Sequence, residues 1–385
     1  MANFLKKFSK EIWGIIALFL IWRIGLFIVA YFGFFNFPDF PLTNFYNDLH
    51  PIFSMWMPFD VGWLTHIAQN GYSISNQAPA FFPLWPLLIF ITGKMFFFID
   101  IRIVAFILAN LFTLGACLML YKLVKLEFSD ESTAYRSVKY LLIFPMSLFL
   151  ATSYTEPLFL FLAISSFYLV RKNNLLVGSL AGMGAALTRA AGVVLFVPLT
   201  IETAALTIQD KSSGIWRKII KFIPLLFIPL GTILYMIYLK IITGDWLAFL
   251  HAQSSGWTRN IGLGGLQSLW INVKTLFGFH FFLPGGAYIT SFVQAGIFII
   301  FIVIIILAYK KIRPSYLIYS LLVLLLPLAG GNLVSMNRYV LAAFPVFMIL
   351  GFWGKIKWVD ELITITFILL LGLFTAMFVN GYWVG

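Results

Sequence analysis

The chain has 385 residues, of which 61% are hydrophobic, 18% aromatic and only 10% charged. A soluble globule of this size could not hide so much apolar surface, because part of every folded chain stays exposed. The same composition excludes intrinsic disorder, and the single cysteine, Cys117, excludes a disulfide scaffold. The apolar runs are long and continuous, which favours an all-α polytopic membrane protein over a β-barrel.

The net charge is +12, and most cations fall in short clusters between apolar runs, as at Lys122 and Lys125. This distribution is typical of the positive-inside rule, which keeps cations on the cytoplasmic side of the membrane. It therefore argues for contact with membrane lipids and against nucleic-acid binding. Acids beside such clusters, among them Glu127, are interpreted as charge balance at a surface.

The predicted elements begin with an apolar run from Ile12 to about Phe35, long enough for an uncleaved first helix with a cytoplasmic N-terminus. Residues 36–79 contain neither Lys nor Arg and are rich in Pro and aromatics, which predicts a first extracytoplasmic loop packed on the membrane face. A second large extracytoplasmic loop is predicted for residues 243–286. Further candidate spans are 81–98, 103–121, 138–152, 156–170, 175–199, 222–242, 287–309, 315–330, 339–354 and 362–380.

This pattern gives about 9–12 transmembrane helices in one integral membrane domain over residues 1–385. Strict alternation of external and cytoplasmic loops fails once. The basic stretch from Lys122 to Lys139 is expected on the cytoplasmic side, which requires that one of the runs 81–98 and 103–121 does not cross the membrane. The run 175–199 also holds Arg189 in its middle, and an arginine facing lipid there would be costly. We therefore expect half-spans whose polar ends line a cavity.

Asp60 begins the most informative segment, because a helical pattern from Val61 to Ala68 follows it and ends at Asn70-Gly71. The simple interpretation is an N-cap aspartate on an interfacial helix. The functional interpretation is a carboxylate at the membrane surface that can take a proton from an incoming hydroxyl. His66 lies on the same predicted helix.

Two further segments combine polar residues in an unusual way. The first runs from Asp245 to Arg259 with His251 and Gln253 between them, and it predicts either an amphipathic interfacial helix or a site for an anionic headgroup. The second contains Arg338 directly before an apolar run. Arginines on the external side break the charge pattern, and beside a cavity they are natural partners for phosphate.

Aromatic residues in the loops, namely Trp56, Trp63, Trp85 and Trp257, suit sugar faces, although interfacial anchoring is favoured for each. The sequence contains no metal-ligand spacing, no P-loop and no dinucleotide fingerprint. No metal or cofactor is therefore predicted, and a nucleotide as direct substrate is unsupported.

These pieces together resemble the PIG-V-type mannosyltransferases, a family of GT-C polytopic membrane glycosyltransferases. The matching stretches occur in the family's order: 59–63 with 67–68 and 70–72, 80–87, 153–159, 186–189, 244–245 through 251–253, and 338–339 with 344–345. Two positions depart from the family pattern, because Phe59 stands where the family usually has Trp and Trp246 replaces the usual proline. Neither departure removes a charged group.

The resemblance implies a polyprenyl- or dolichyl-phosphate mannose donor, a glycolipid or glycan acceptor, and an active site at the external membrane face. It implies that Asp60 is the catalytic aspartate of the first loop. The other polar motif residues are then Glu156, Arg189, Asp245, His251, Gln253 and Arg338. The chemistry agrees, since a lipid-phosphate leaving group needs cations, here Arg189, Arg338 and Arg259, while the acceptor hydroxyl needs a base. An in-line attack of this kind inverts the anomeric centre.

The expected location is the plasma membrane in a prokaryote and the endoplasmic reticulum in a eukaryote. Two alternatives remain open from the sequence. One is a secondary transporter or lipid flippase, which would show interrupted helices in matching halves. The other is a non-catalytic relative in which Asp60 only caps a helix.

Overall fold

A computed structural model describes residues 2–36, 49–74, 77–209, 214–260, 262, 264–277 and 286–385. Within these ranges the regular structure is helical, apart from one isolated bridge between Gly262 and Gly330. The predicted all-α class is confirmed. The helices are α1 Ala2–Asn36, α2 Pro51–Ser54, α3 Asp60–Asn70, α4 Leu84–Met95, α5 Ile101–Phe128, α6 Glu131–Ile143, α7 Glu156–Arg171, α8 Leu175–Thr188, α9 Phe196–Gln209, α10 Ile215–Ile220, α11 Phe227–Thr243, α12 Ala248–Trp257, α13 Gly264–Phe277, α14 Gly286–Leu307, α15 Pro314–Ala329, α16 Met336–Tyr339, α17 Pro345–Trp353 and α18 Lys357–Val379.

Five helical segments among the described residues are long and apolar enough to cross a membrane, which makes this a multi-pass membrane protein. They are Lys10–Asn36, Ile101–Phe128, Ala190–Gln209, Ile215–Thr243 and Lys357–Val379. A sixth is added if the bent pair Met336–Ala342 and Pro345–Trp353 counts as one span. Five or six is fewer than the predicted about 9–12. One reason is that several apolar runs fold as shorter helices, namely Leu84–Met95, Leu175–Thr188 and Pro314–Ala329.

The outward faces of the long helices are apolar, as a lipid environment requires. On α1 the side chains of Trp13 and Ile21 are 65% and 69% exposed, and on α18 that of Leu369 is 68% exposed. A soluble helix would place polar residues at such positions. The core lies between the helices and contains the fully buried rings of Phe149, Phe344 and others.

Helix α4 accounts for the failed alternation in the charge pattern. It has 12 residues, so it extends only about 18 Å, well short of the hydrocarbon thickness of about 30 Å. Helix α5 has 28 residues and is long enough to cross. By length, the predicted run 81–98 is therefore the one that does not span.

Three helices break where a charged residue stands in an otherwise apolar stretch. Helix α8 ends at Thr188, Arg189 is extended, and a 3₁₀ turn leads into α9. Gly192 in that turn packs so closely on the α8 backbone that a Cβ atom would lie 2.2 Å from Ala185. Glu156 begins α7 after an irregular segment, and Arg338 lies beside the 80° bend of the broken pair. These breaks bring polar groups together inside the helical assembly.

A buried ionic cluster lies at the C-terminal end of α7, about 23 Å along this helix from Glu156 at its start. Arg171, the last residue of α7, contacts Glu127 at 2.5 Å and Glu202 at 3.2 Å, and Arg313 contacts the same two carboxylates at 2.9 and 3.4 Å. Glu127 is only 8% exposed, so its interpretation as surface charge balance is wrong. The cluster ties α5, α7, α9 and the start of α15 together.

Candidate active site

Asp60 and Arg338 form the central ion pair of the candidate site. Asp60 is the first residue of α3, and one of its carboxylate oxygens accepts a hydrogen bond from Arg338 Nη1 at 2.6 Å. The side chains are 17% and 9% exposed. Phe59 occupies the N-cap position of α3 and makes no side-chain capping bond. Of the two interpretations of Asp60, the simple N-cap is not observed, because Phe59 holds the N-cap position and the Asp60 carboxylate is bound to Arg338.

Glu156 joins this pair to a second arginine. It begins α7, where the positive end of the helix dipole favours a carboxylate, and it is only 4% exposed. Its Oε1 lies 3.1 Å from Arg338 Nε and in direct contact with Arg189 Nη1. Arg189 also donates to the Thr155 hydroxyl at 3.1 Å. Asp60, Arg338, Glu156 and Arg189 thus form one continuous ionic chain.

Tyr339 gathers a third arginine into the site. Arg259 Nη1 donates to the Tyr339 hydroxyl at 2.5 Å. The guanidinium carbons of Arg259, Arg189 and Arg338 lie 5.0, 5.1 and 5.4 Å from the centre of the tyrosine ring. Cation–π attraction at these distances holds three like charges around one aromatic ring. We call Asp60, Glu156, Arg189, Arg259, Arg338 and Tyr339 the arginine cluster.

The charges of this cluster are not balanced. Three guanidinium groups oppose the two carboxylates of Asp60 and Glu156, which leaves one positive charge. Arg259 Nε is buried without a hydrogen-bond partner among the described residues. Buried donors of this kind are costly unless something satisfies them. The arrangement is suited to binding one further anionic group.

Two strained residues stand directly before the helices that supply the central pair. Phe59, which precedes Asp60, has φ 61°, and Ser335, which precedes α16 with Arg338, has φ 68°. A side chain in this left-handed region costs about 1–3 kcal/mol, and such strain concentrates at functional sites. The Phe59 ring packs edge-on against Trp383 at 4.9 Å, which holds the strained residue in place.

Arg23 fixes the segment that leads into α3. It lies within α1, and its guanidinium carbon is 4.2 Å from the ring of Trp56 and 4.9 Å from that of Phe106. Arg23 Nη1 is buried without a hydrogen-bond partner among the described residues. Trp56 itself is fully buried, so it is neither an interfacial anchor nor an exposed sugar platform. The same correction applies to Trp85, which is also fully buried.

Asp245 and His251 form a separate and exposed pair. The carboxylate of Asp245 lies 2.6 Å from His251 Nδ1, with 39% and 71% of the two side chains exposed. The backbone N–H of Leu247, followed by the His251 ring, holds the pKa of Asp245 below its usual value. Gln253 lies further along α12, and its backbone carbonyl accepts a hydrogen bond from the Arg259 N–H at 3.2 Å. Arg259 is thus the member of this predicted segment that reaches the arginine cluster.

His66 lies on the exposed face of α3, away from the Asp60 carboxylate. It lines a groove of about 990 Å³ together with Phe59, Gly62, Trp63 and other residues of the helices that follow. Trp63 stacks on Phe81 at 6.0 Å and meets Trp257 edge-on at 6.5 Å. The structure therefore places His66 beside the candidate site rather than within the arginine cluster.

Sequence reasoning singled out the charged members of the cluster but missed Tyr339 and Tyr154. The Tyr154 hydroxyl donates to the Pro58 carbonyl at 3.2 Å and accepts from the backbone N–H of Asp60 at 3.4 Å. Both tyrosines stand in the stretches that match the family pattern. Tyr339 directly follows Arg338, and Tyr154 lies two residues before Glu156. Within the described ranges, no group of three His, Cys, Asp or Glu side chains is placed to hold a metal ion.

Comparison with known proteins gives partial sequence matches to one enzyme. GPI mannosyltransferase 2 of Cryptococcus neoformans var. neoformans serotype D is 31% identical over 137 residues, which are 33% of this chain and 32% of that protein. GPI mannosyltransferase 2 of Schizosaccharomyces pombe is 30% identical over 114 residues, which are 29% of this chain and 24% of that protein. The matches thus span less than a third of either relative. No protein-family model matches the chain.

Among solved structures, the chain is similar to an oligosaccharyltransferase from Archaeoglobus fulgidus. The apo crystal structure gives a TM-score of 0.46 at 12% identity and covers 95% of this chain and 56% of that chain. The same enzyme in complex with an inhibitory peptide and a dolichol-phosphate gives a TM-score of 0.43 at 13% identity, with coverages of 95% and 56%.

Proposed function

We propose that the protein is a membrane glycosyltransferase that moves a mannosyl residue, with inversion, from a polyprenyl- or dolichyl-phosphate donor to an acceptor hydroxyl. The observation that supports it is the contact between Asp60, Arg338, Glu156 and Arg189 in one buried network. It places a carboxylate beside guanidinium groups that carry one uncompensated positive charge. Glycosyl transfer from a lipid phosphate needs this combination of a base and an anion site.

The arginines account for the donor end of the reaction. A lipid-linked sugar phosphate is a phosphodiester with one negative charge, which matches the single excess positive charge of the arginine cluster. When the bond from the anomeric carbon to the phosphate oxygen breaks, negative charge grows on the phosphate. Preorganised guanidinium groups stabilise growing charge more than they stabilise the ground state, and this lowers the barrier.

Asp60 accounts for the acceptor end. The acceptor oxygen attacks the anomeric carbon from the face opposite the phosphate, and its proton passes to the Asp60 carboxylate. The bond electrons leave with the lipid phosphate, so the products are the glycosylated acceptor and a free lipid phosphate. In the structure Asp60 is bound to Arg338. A donor phosphate that competes for Arg338 would free the carboxylate to act as base.

The partial matches support the sugar, since both relatives are named as mannosyltransferases. The predicted site residues outside the arginine cluster are proposed to bind substrate around it. They are Asp245, His251, Gln253 and His66. The distribution of Lys and Arg supports a cytoplasmic N-terminus and an extracytoplasmic site.

A transporter or flippase is the second candidate, because the helix breaks at Glu156, Arg189 and Arg338 resemble the interrupted helices of transporters. Purified protein in lipid nanodiscs, incubated with radiolabelled polyprenyl-phosphate mannose and a membrane lipid extract, separates the two. Transfer of label to a new species supports the glycosyltransferase. Donor binding in nanodiscs without transfer, together with movement of the intact donor across proteoliposome membranes, would support the transporter and overturn the proposal.

A further inference from the structure

The groove that His66 lines begins at Phe59, the residue before Asp60, and follows α3. Gly62, Trp63, His66 and Gln69 recur on one face of the helix and all line it. Between Asp60 and Gln69 the helix rises about 14 Å. The groove is thus long enough for more than one sugar ring, and its volume of about 990 Å³ is at the upper end of the range for ligand sites.

The opposite wall comes from the end of α4 and the start of α5. Beside the apolar side chains of Phe90, Phe97, Ile99 and Ile101, it contributes Lys94 and the ion pair of Asp100 with Arg102, whose closest atoms are 2.6 Å apart. Together with Trp63 and Gln69, the groove presents an aromatic surface and both hydrogen-bond donors and acceptors. Carbohydrates require this mixture, because their C–H faces pack on aromatic rings while their hydroxyl groups both donate and accept.

The groove and the arginine cluster differ in composition. In the groove Arg102 is paired with Asp100 and Lys94 adds one cation, whereas the arginine cluster gathers three guanidinium groups around Tyr339. The Asp60 carboxylate contacts Arg338, while its neighbours Phe59, Gly62 and Trp63 line the groove. The start of α3 thus contributes residues both to the arginine cluster and to the groove.

We infer that the groove along α3 is the acceptor site, and that it holds a glycan of more than one sugar unit whose reacting hydroxyl lies at the Asp60 end. This inference rests on the proposed glycosyltransferase activity and adds the position and the class of its acceptor. Trp63 supplies the platform for the sugar nearest to Asp60. His66, Gln69 and Lys94 bind hydroxyl groups further along the groove.

Cysteine protection tests the site without requiring turnover. Cys117 is the only cysteine in the chain and is fully buried, so a cysteine at Gln69 supplies an accessible thiol of its own. Asn70 is the matched control, because it is exposed on the same helix but does not line the groove. Gln69→Cys and Asn70→Cys are labelled with a polar maleimide in nanodiscs, with and without short-chain alkyl disaccharides of mannose, glucose and glucosamine.

The inference predicts that at least one disaccharide slows labelling of Gln69→Cys at least about threefold and leaves Asn70→Cys unchanged. Equal labelling with every disaccharide would overturn it. Full protection of Gln69→Cys by the nanodisc lipids alone would also overturn it, since a lipid chain would then occupy the groove. If protection is observed but wild type transfers no sugar, the acceptor groove is retained as a glycan site and the proposed transferase activity fails.

Kinetics supply an independent readout where wild type is active. Gln69→Ala and Lys94→Gln should raise the acceptor concentration for half-maximal rate about tenfold and leave that for the donor unchanged. Lys357→Gln is the control, because that side chain is 91% exposed on α18, outside the groove. An equal effect on donor and acceptor would contradict a separate acceptor site.

Discussion

Arg338 Nη1 and the carboxylate of Asp60 lie 2.6 Å apart although 278 positions separate them in the chain. The pair joins the start of α3 to α16. Each partner lies on a helix that directly follows a residue with positive φ, Phe59 for α3 and Ser335 for α16. The protein therefore maintains both an internal charge pair and local backbone strain at one place, as a preorganised site does.

Replacing Arg338 tests how the site holds its two carboxylates. Arg338→Leu should lower the free energy of unfolding by about 3–5 kcal/mol, because Asp60 and Glu156 lose the cation that lies between them. Arg338→Lys keeps the charge but lacks the planar guanidinium group with which arginine contacts both carboxylates. It should fold and lose transfer activity about 10- to 100-fold. Thermal unfolding and initial rates check the two expectations, and an Arg338→Lys protein with wild-type rates would contradict them.

Tyr339 should act by holding the three arginines, and two substitutions separate its ring from its hydroxyl. Tyr339→Phe keeps the ring and loses the bond from Arg259, so donor affinity should fall only about fivefold. Tyr339→Leu also loses the cation–π contacts and should weaken donor binding substantially more. Binding of labelled donor in nanodiscs measures both. Equal affinities for the two variants would show that the ring has no such role.

The backbone at Ser335 gives a prediction that is independent of function. Glycine adopts positive φ without steric cost, so Ser335→Gly should be at least as stable as wild type. Ser335→Ala keeps a Cβ at the strained position and loses the hydroxyl, and it should be less stable than Ser335→Gly by about 1 kcal/mol. Melting temperatures of the matched pair decide, and a Ser335→Ala protein as stable as Ser335→Gly would argue against the positive φ.

The cluster around Glu202 should be structural. Glu202 is 2% exposed and contacts both Arg171 and Arg313, so Glu202→Leu leaves Arg171, which is 11% exposed, with fewer anionic partners. Its free energy of unfolding should fall by about 3–5 kcal/mol. Donor affinity of the folded fraction should match wild type, because the cluster lies about 23 Å from Glu156. A selective loss of donor affinity without loss of stability would contradict this assignment.

Much of the site could be predicted because charges are rare in this chain. In a sequence that is only 10% charged, Glu156, Arg189 and Arg338 stand out within apolar runs, and a membrane interior tolerates them only with partners. Their partners could not be predicted, since the contact of Asp60 with Arg338 depends on how distant helices pack. For the same reason the sequence leaves open whether Asp60 caps a helix or acts as a carboxylate at the membrane surface.

Among the described residues fewer long spans are found than the apolar runs predict, for a different physical reason. Hydropathy detects apolar runs, but it does not show whether a run forms one long helix, a short helix or a bent pair. Leu84–Met95 is apolar and too short to cross, and α16 and α17 meet at an 80° bend. The positive φ of Phe59 and Ser335 also has no signal in the sequence, because neither residue is a glycine.

The central claim is that the Asp60 carboxylate removes the proton from the acceptor, and Asp60→Asn tests it most directly. The amide keeps the size of the side chain and an oxygen for Arg338, so the variant should fold and bind donor. Its rate of mannose transfer from polyprenyl-phosphate mannose should fall between about 10²- and 10⁴-fold. Glu361→Gln, at a 59% exposed position on α18, should match wild type. Asp60→Asn transfer within about twofold of wild type would contradict the account.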